Sequence, residues 1–217
     1  MAEEQYGPVA STVLFENDAV KVWEMDLAPG EACATHRHTM DYVLYIMSGA
    51  DLMIEGPNYK PYPFPAPTRA TYFVPPGAIE SARNVGNTRF YEALFEIKRP
   101  PRSDAKSPGF AVCEALVNAE PQSGVVNILE NDRVRIVETT LAPGQESGMH
   151  YHSRDAAVYV VEGSKVQEVE RATESSPEQS KEVDRATGAV CWQPHGVYRN
   201  AINVGKGRYR QVSVELK

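Results

Sequence analysis

The chain has 217 residues, 42% of them hydrophobic and 24% charged, with a formal net charge of −7. That length suits two small domains, each with room for its own core. The acidic balance argues against nucleic acid as a partner, and no apolar run is long enough for a membrane-spanning helix.

The N-terminal stretch MAEEQYGPVAS is acidic and lacks an apolar core, so it is not expected to be a signal peptide. Three cysteines (Cys33, Cys113 and Cys191) form an odd set without CxxC spacing. They read as free thiols of a reducing, cytoplasmic protein. Strand signals dominate the remainder of the first half. VKVWEMDLAPG is a short alternating run closed by a Pro-Gly turn, YVLYIMSG ends in glycine, TYFVPPG is stopped by proline, and FYEALFEIK closes the half. The second half repeats the order with VRIVETTLAPG, AVYVVEG, AVCWQPHG and YRQVSVELK. Many short strands separated by turns predict an antiparallel all-β barrel or sandwich in each half.

The repetition extends to single residues. LFENDAVKVWEMDLAPGEACATHRH is answered by ILENDRVRIVETTLAPGQESGMHYH, offset by 114 positions (Asn17 to Asn131, His36 to His150). A repeat of this length means two copies of one domain. Beyond the middle of each half the offset becomes 119 (Asn84 to Asn203), so the second copy carries a longer insert. The first insert, GPNYKPYPFPAPTR, is Pro-rich with Tyr59, Tyr62 and Phe64; it reads either as an aromatic lid or as a solvated hairpin tip. The second, ERATESSPEQSKEVDRAT, reads as a mobile polar loop. The expected organisation is an N-terminal barrel over residues 9–99, a linker over 100–122 and a C-terminal barrel over 123–217. Within the linker, FAVCEALVNAE is compatible with one short helix.

Each copy ends its repeated text in His-x-His. Residues i and i+2 of a strand face the same way, so His36 projects with His38, and His150 with His152. Two such imidazoles supply two ligands to one first-row metal if a neighbouring strand supplies the rest.

Gly30-x5-His36-x-His38 and Gly144-x5-His150-x-His152 resemble the first cupin motif. The second cupin motif resembles the stretches from Pro75 to Asn84 and from Pro194 to Asn203. Outside the linker and termini the resemblance covers nearly the whole chain. It implies a bicupin: two tandem jelly-roll β-barrels. ENDAVKVWEMDLAPGE and HRHTMDYVLYIMSG further resemble small cupins of the beta-alanine degradation type.

The family offers three histidines and one glutamate, and this chain departs from that pattern. The glutamate position holds Tyr42 in the first half and Ala156 in the second, with Asp41 and Asp155 one residue earlier as turn residues. The third histidine position holds Glu80 and Arg199. By resemblance, His36, His38 and Glu80 make a two-imidazole, one-carboxylate set suited to Fe(II), Mn(II) or Zn(II). The competing reading of Glu80 is an ion pair with Arg83. Arg199 cannot be deprotonated and cannot ligate. It either clamps an anionic group together with His150 and His152, or sits in a structural ion pair in a vestigial site.

Three functions stand. The first is a metal-dependent enzyme acting on a small organic molecule by dioxygenase, decarboxylase, isomerase or lyase chemistry, with Tyr42 orienting the substrate. The second is a non-catalytic module that binds an organic acid or sugar. The third is a structural bicupin. A homodimer is compatible with each.

Overall fold

Turn chemistry explains why the repeated residues recur. Asn17 Oδ1 accepts from the backbone N–H groups of Ala19 and Val20 at 2.8 and 2.9 Å, and Asn131 Oδ1 from Arg133 and Val134 at 2.8 and 3.0 Å. Such Asx turns satisfy the backbone where it reverses. Gly30 and Gly144 take φ of 85° and 80°, a region where a side chain is strained. Asn84 and Asn203 are fully buried cross-links. Asn84 Nδ2 donates to the carbonyls of Leu27 and Thr88, and Asn203 Nδ2 to those of Leu141 and Gly207. The duplicated text is therefore largely a set of turn and crosslink instructions.

The computed structural model describes residues 6–217 except 105 and 118. The acidic first five residues, with the expectation of no signal peptide, lie outside the described residues. The chain divides into two compact units. The N-terminal unit carries β1 (Thr12–Glu16), β2 (Val20–Leu27), β3 (His36–Arg37), β4 (Tyr42–Ser48), β5 (Ala50–Gly56), β6 (Tyr59–Ala66), β7 (Thr71–Val74), β8 (Ile79–Asn84), β9 (Phe90–Ile97) and β10 (Ala111–Cys113). The C-terminal unit carries β11 (Gly124–Glu130), β12 (Val134–Leu141), β13 (His150–His152), β14 (Ala156–Glu162), β15 (Ser164–Arg171), β16 (Gln179–Arg185), β17 (Val190–Gln193), β18 (Val197–Asn203) and β19 (Tyr209–Leu216).

Each unit is built from two antiparallel sheets. In the first they run β1-β2-β9-β4-β7-β10 and β3-β8-β5-β6; in the second, β11-β12-β19-β14-β17 and β13-β18-β15-β16. Apart from the extra edge strand β10 of the first unit the same order recurs, so both units are jelly-roll barrels. Met25, Tyr42, Ile46, Leu52, Phe90 and Leu94 lie in the N-terminal core, and Leu141, Val160, Val166 and Tyr209 in the C-terminal one. All three cysteines are free.

Two local expectations are corrected. FAVCEALVNAE is not a helix: Ala111–Cys113 pairs with the edge of β7, Ala111 opposite Phe73. An isolated helix of that length is marginal, whereas an open strand edge offers ready hydrogen-bonding partners. Residues 107–119 of the expected linker accordingly belong to the N-terminal unit. The Pro-rich insert forms a hairpin arm: β6 pairs with β5 at the sheet edge, where proline is tolerated, and residues 59–63 are exposed as expected of a solvated hairpin, while Tyr62 and Phe64 also line the barrel cavity. The polar second insert is not a loop throughout. Its residues 179–185 form β16, paired with β15 and laced by Lys165–Glu182 and Lys181–Glu168 ion pairs. Its outer face is polar because it is exposed, not because it lacks structure.

Candidate metal centre

β3 and β8 pair in a register that sets His36 opposite Glu80. His38 follows two residues after His36, and both rings are 3% exposed. The His36 and His38 Nε2 atoms stand 3.0 Å apart, and Glu80 Oε1 lies 3.6 Å from His38 Nε2. All three donors fall within 4.8 Å of one another. Donors held about 2 Å from one ion stand about 3 to 4 Å apart, and the His36–His38 and His38–Glu80 separations match those of a first-row cation site. Among the described residues no other His, Cys, Asp or Glu group meets this geometry.

The surroundings prepare the donors. His36 Nδ1 donates to the Ala34 carbonyl at 2.8 Å, which leaves Nε2 with its lone pair turned to the site. Burial lowers the His36 pKa against the raising effect of that hydrogen bond, so the ring stays neutral. The His38 ring stacks on Tyr42, with centroids 3.9 Å apart and planes 13° from parallel, and its buried Nδ1 has no hydrogen-bond partner. Burial pushes Glu80 up, but contact with His38, the Tyr59 hydrogen bond and the nearby His36 outweigh it, and the net shift is downward. Tyr59 Oη donates to Glu80 Oε2 at 3.2 Å. Arg83 does not pair with Glu80; its guanidinium turns to the Gly30 carbonyl at 3.4 Å. Cys33 accepts from the Ala82 N–H at 3.1 Å, and burial raises its thiol pKa, so it is a neutral packing residue.

The triad opens on a cavity of about 210 Å³ inside the barrel, lined mainly by apolar and aromatic side chains. Tyr42, Tyr62, Phe64, Leu94 and Phe110 are among them. Burial first, then the charges of Glu80 and Glu92, raises the Tyr42 pKa, so its phenol stays protonated. Glu92 on β9 also lines this space. Burial and the charge of Glu80 raise its pKa to about 8. Sequence reasoning missed Glu92 and the contact of Tyr59 with Glu80. Tyr59 lies in a segment that reads as an insert, and Glu92 in a strand whose two faces the sequence pattern leaves unseparated.

The C-terminal barrel repeats the frame with different chemistry. His150 faces Arg199 across β13 and β18, the register that pairs His36 with Glu80. His150 Nδ1 donates to the Gly148 carbonyl at 2.8 Å, as His36 does to Ala34. His152 is held neutral: burial, then His150 and Arg199, lower its pKa to about 4. Arg199 Nε donates to Glu170 Oε1 at 2.8 Å, while its buried Nη1 has no partner. These groups line a cavity of about 330 Å³ that is richer in polar side chains than its N-terminal counterpart. Asp155 is a turn residue: its Oδ1 accepts from the backbone and ring of His195, which is exposed.

Two tandem jelly-roll barrels, each with a His-x-His pair facing the matched position of its partner strand, are the bicupin fold. No family model matches the chain. Over 114 residues it is 25% identical to auxin-binding protein T85 of Nicotiana tabacum, a match covering 46% of this chain and 61% of that protein. Over 98 residues it is 28% identical to auxin-binding protein 1 of Arabidopsis thaliana, covering 43% and 49% respectively. The chain thus spans about half of the length of the curated relatives it matches. Among solved structures it superposes on oxalate decarboxylase of Bacillus subtilis, a protein with Mn(II) centres, with a TM-score of 0.67 and 11% identity over 92% of this chain and 69% of that one. It also superposes on AerE from Microcystis aeruginosa, with a TM-score of 0.65 and 10% identity over 98% and 96%.

Proposed function

We propose that this protein is a metal-dependent bicupin that acts on a small organic molecule in its N-terminal barrel. The observation that carries the reading is the buried His36, His38 and Glu80 set at an apolar cavity. Fe(II), Mn(II) or Zn(II) suits two imidazoles and a carboxylate, and the Mn(II) centres of oxalate decarboxylase favour Mn(II). A bound ion supplies Lewis-acid polarisation or oxygen activation there, within the dioxygenase, decarboxylase, isomerase or lyase range. The chain's own part is positional. Ala34 fixes the His36 ring, Tyr59 holds the second oxygen of Glu80, and the protonated Tyr42 phenol orients the substrate. The apolar walls keep water from the reacting groups.

Elemental analysis after metal-replete expression tests this. Wild type carries about one first-row ion per chain, and Glu80→Ala lowers the affinity by at least about tenfold. A wild-type protein without first-row metal defeats the reading, and a fully loaded Glu80→Ala variant removes Glu80 from the ligand set.

The auxin-binding relatives favour a second reading, in which a barrel captures a small organic acid without turnover. Arg199, His150 and His152 in the more polar C-terminal cavity are its candidate residues. Calorimetric titration with succinate then shows binding that Arg199→Ala abolishes; equal binding by both proteins rules that site out.

A further inference from the structure

The Glu92 side chain has no hydrogen bond or ion pair among the described residues, although the residue is only 5% exposed. The fold satisfies another acidic residue of the same strand. Four residues along the same strand, Glu96 Oε2 accepts from Trp23 Nε1 at 2.6 Å. The matched residue of the other barrel is Gln211, since Phe90, Glu92 and Leu94 correspond to Tyr209, Gln211 and Ser213. Gln211 accepts from Tyr209 Oη at 2.6 Å and donates to Ser213 Oγ at 3.4 Å. In the N-terminal barrel those two partners are replaced by Phe90 and Leu94, which carry no polar atom. Alternation along β9 places all three side chains on the inner face, and all three line the cavity.

The Glu92 side chain is therefore satisfied by no protein group, and its oxygens face the cavity rather than packed protein, which calls for an explanation. Here the barrel has the polar side chain without the protein groups that satisfy its counterpart in the sister barrel. The remaining source of a partner is an occupant of the cavity. An apolar cavity of about 150 Å³ holds one benzene ring. The space here, about 210 Å³ and lined by Tyr62, Phe64 and Phe110, takes one ring with a short substituent.

We propose that Glu92 is the ligand-anchoring hydrogen-bond donor of the N-terminal barrel, and that the barrel takes a small, ring-sized, otherwise apolar molecule whose carbonyl-type oxygen accepts from it. Burial supports the donor role, since it keeps the carboxyl protonated at neutral pH. The inference names a ligand class for the same barrel and rests on that barrel being the functional one, but it needs no metal.

The experiment therefore uses the full-length, chelated protein, titrated with acetophenone and, as the apolar control, toluene. Wild type and Glu92→Gln bind acetophenone within about threefold of each other, because the amide also donates; Glu92→Leu binds it at least about tenfold more weakly. Toluene affinity changes by less than about threefold across all three. Infrared difference spectra supply a readout that a merely structural role leaves unmoved. The protonated-carboxyl band absent from Glu92→Gln shifts when acetophenone is added to wild type. Equal acetophenone affinity in wild type and Glu92→Leu, an unshifted band, or failure of wild type to bind acetophenone each overturns the proposal. Failure of the metal reading is seen separately, in the elemental analysis.

Discussion

A single side chain changes the chemistry of each barrel, and the clearest consequence at this scale is a pH dependence. Glu92 has a pKa of about 8 in the folded protein, raised from 4.5 chiefly by burial. Between those values the folded state holds a proton that the unfolded state has released. Stability from this group is complete below about 4.5, declines as pH rises through the window, and is gone above about 8. Denaturant unfolding of the chelated protein at about pH 5 and about pH 8 will show wild type losing more stability than Glu92→Gln. The excess is a few kcal/mol, at most about 5. Parallel losses in the two proteins would mean that Glu92 ionises normally and that the barrel wall is wetter than its lining implies.

At the level of strands, β8 and β18 present Glu80 and Arg199 to the same register position, opposite His36 and His150. The frame of the candidate site therefore recurs in the C-terminal barrel, with Arg199 at the position that would oppose a cation. Arg199→Glu alone would set two carboxylates together with Glu170, so Glu170→Gln accompanies it. The double variant is expected to bind about two ions per chain where wild type binds about one, by elemental analysis. Unchanged stoichiometry would show that β13 no longer holds its histidines in a ligating pose. Much of this frame is legible in the sequence. The offset of 114 and the His-x-His spacing identify the barrels, and the motif position identifies Glu80 as the group opposite the pair. The misreadings have a common physical cause: pairing with an available strand edge overrides local composition. The helix-compatible residues of β10 and the charged run of β16 both lie in strands whose partners are set by the sheet rather than by local pattern. Glu92 escapes the sequence reading for another reason. FYEALFEIK reads as one closing strand until its faces are separated, and only the structure shows that position 92 points inward.

Across the whole molecule, duplication has yielded two units with the same topology and opposite charge at the matched position. Each unit has its own core, so a ligand that binds one unit stabilises that unit directly. A cation bound by His36, His38 and Glu80 ties β3 to β8 within the N-terminal barrel. Binding adds RT ln(1 + [L]/Kd) to its stability, about 2.7 kcal/mol at a hundredfold excess over Kd. Openings that break the site must overcome that increment, and amide exchange through them slows by about a hundredfold. Hydrogen–deuterium exchange of the chelated protein with and without Mn(II) should therefore show protection in peptides covering β3, β4 and β8. Peptides covering β13, β14 and β18 should exchange at the same rate in both samples. Protection of both sets would mean either that Arg199 does not bar a cation from the C-terminal barrel or that the units open as one. The Glu80→Ala variant separates these outcomes: it abolishes protection everywhere if the units are coupled, and leaves the C-terminal protection intact if that barrel binds an ion of its own.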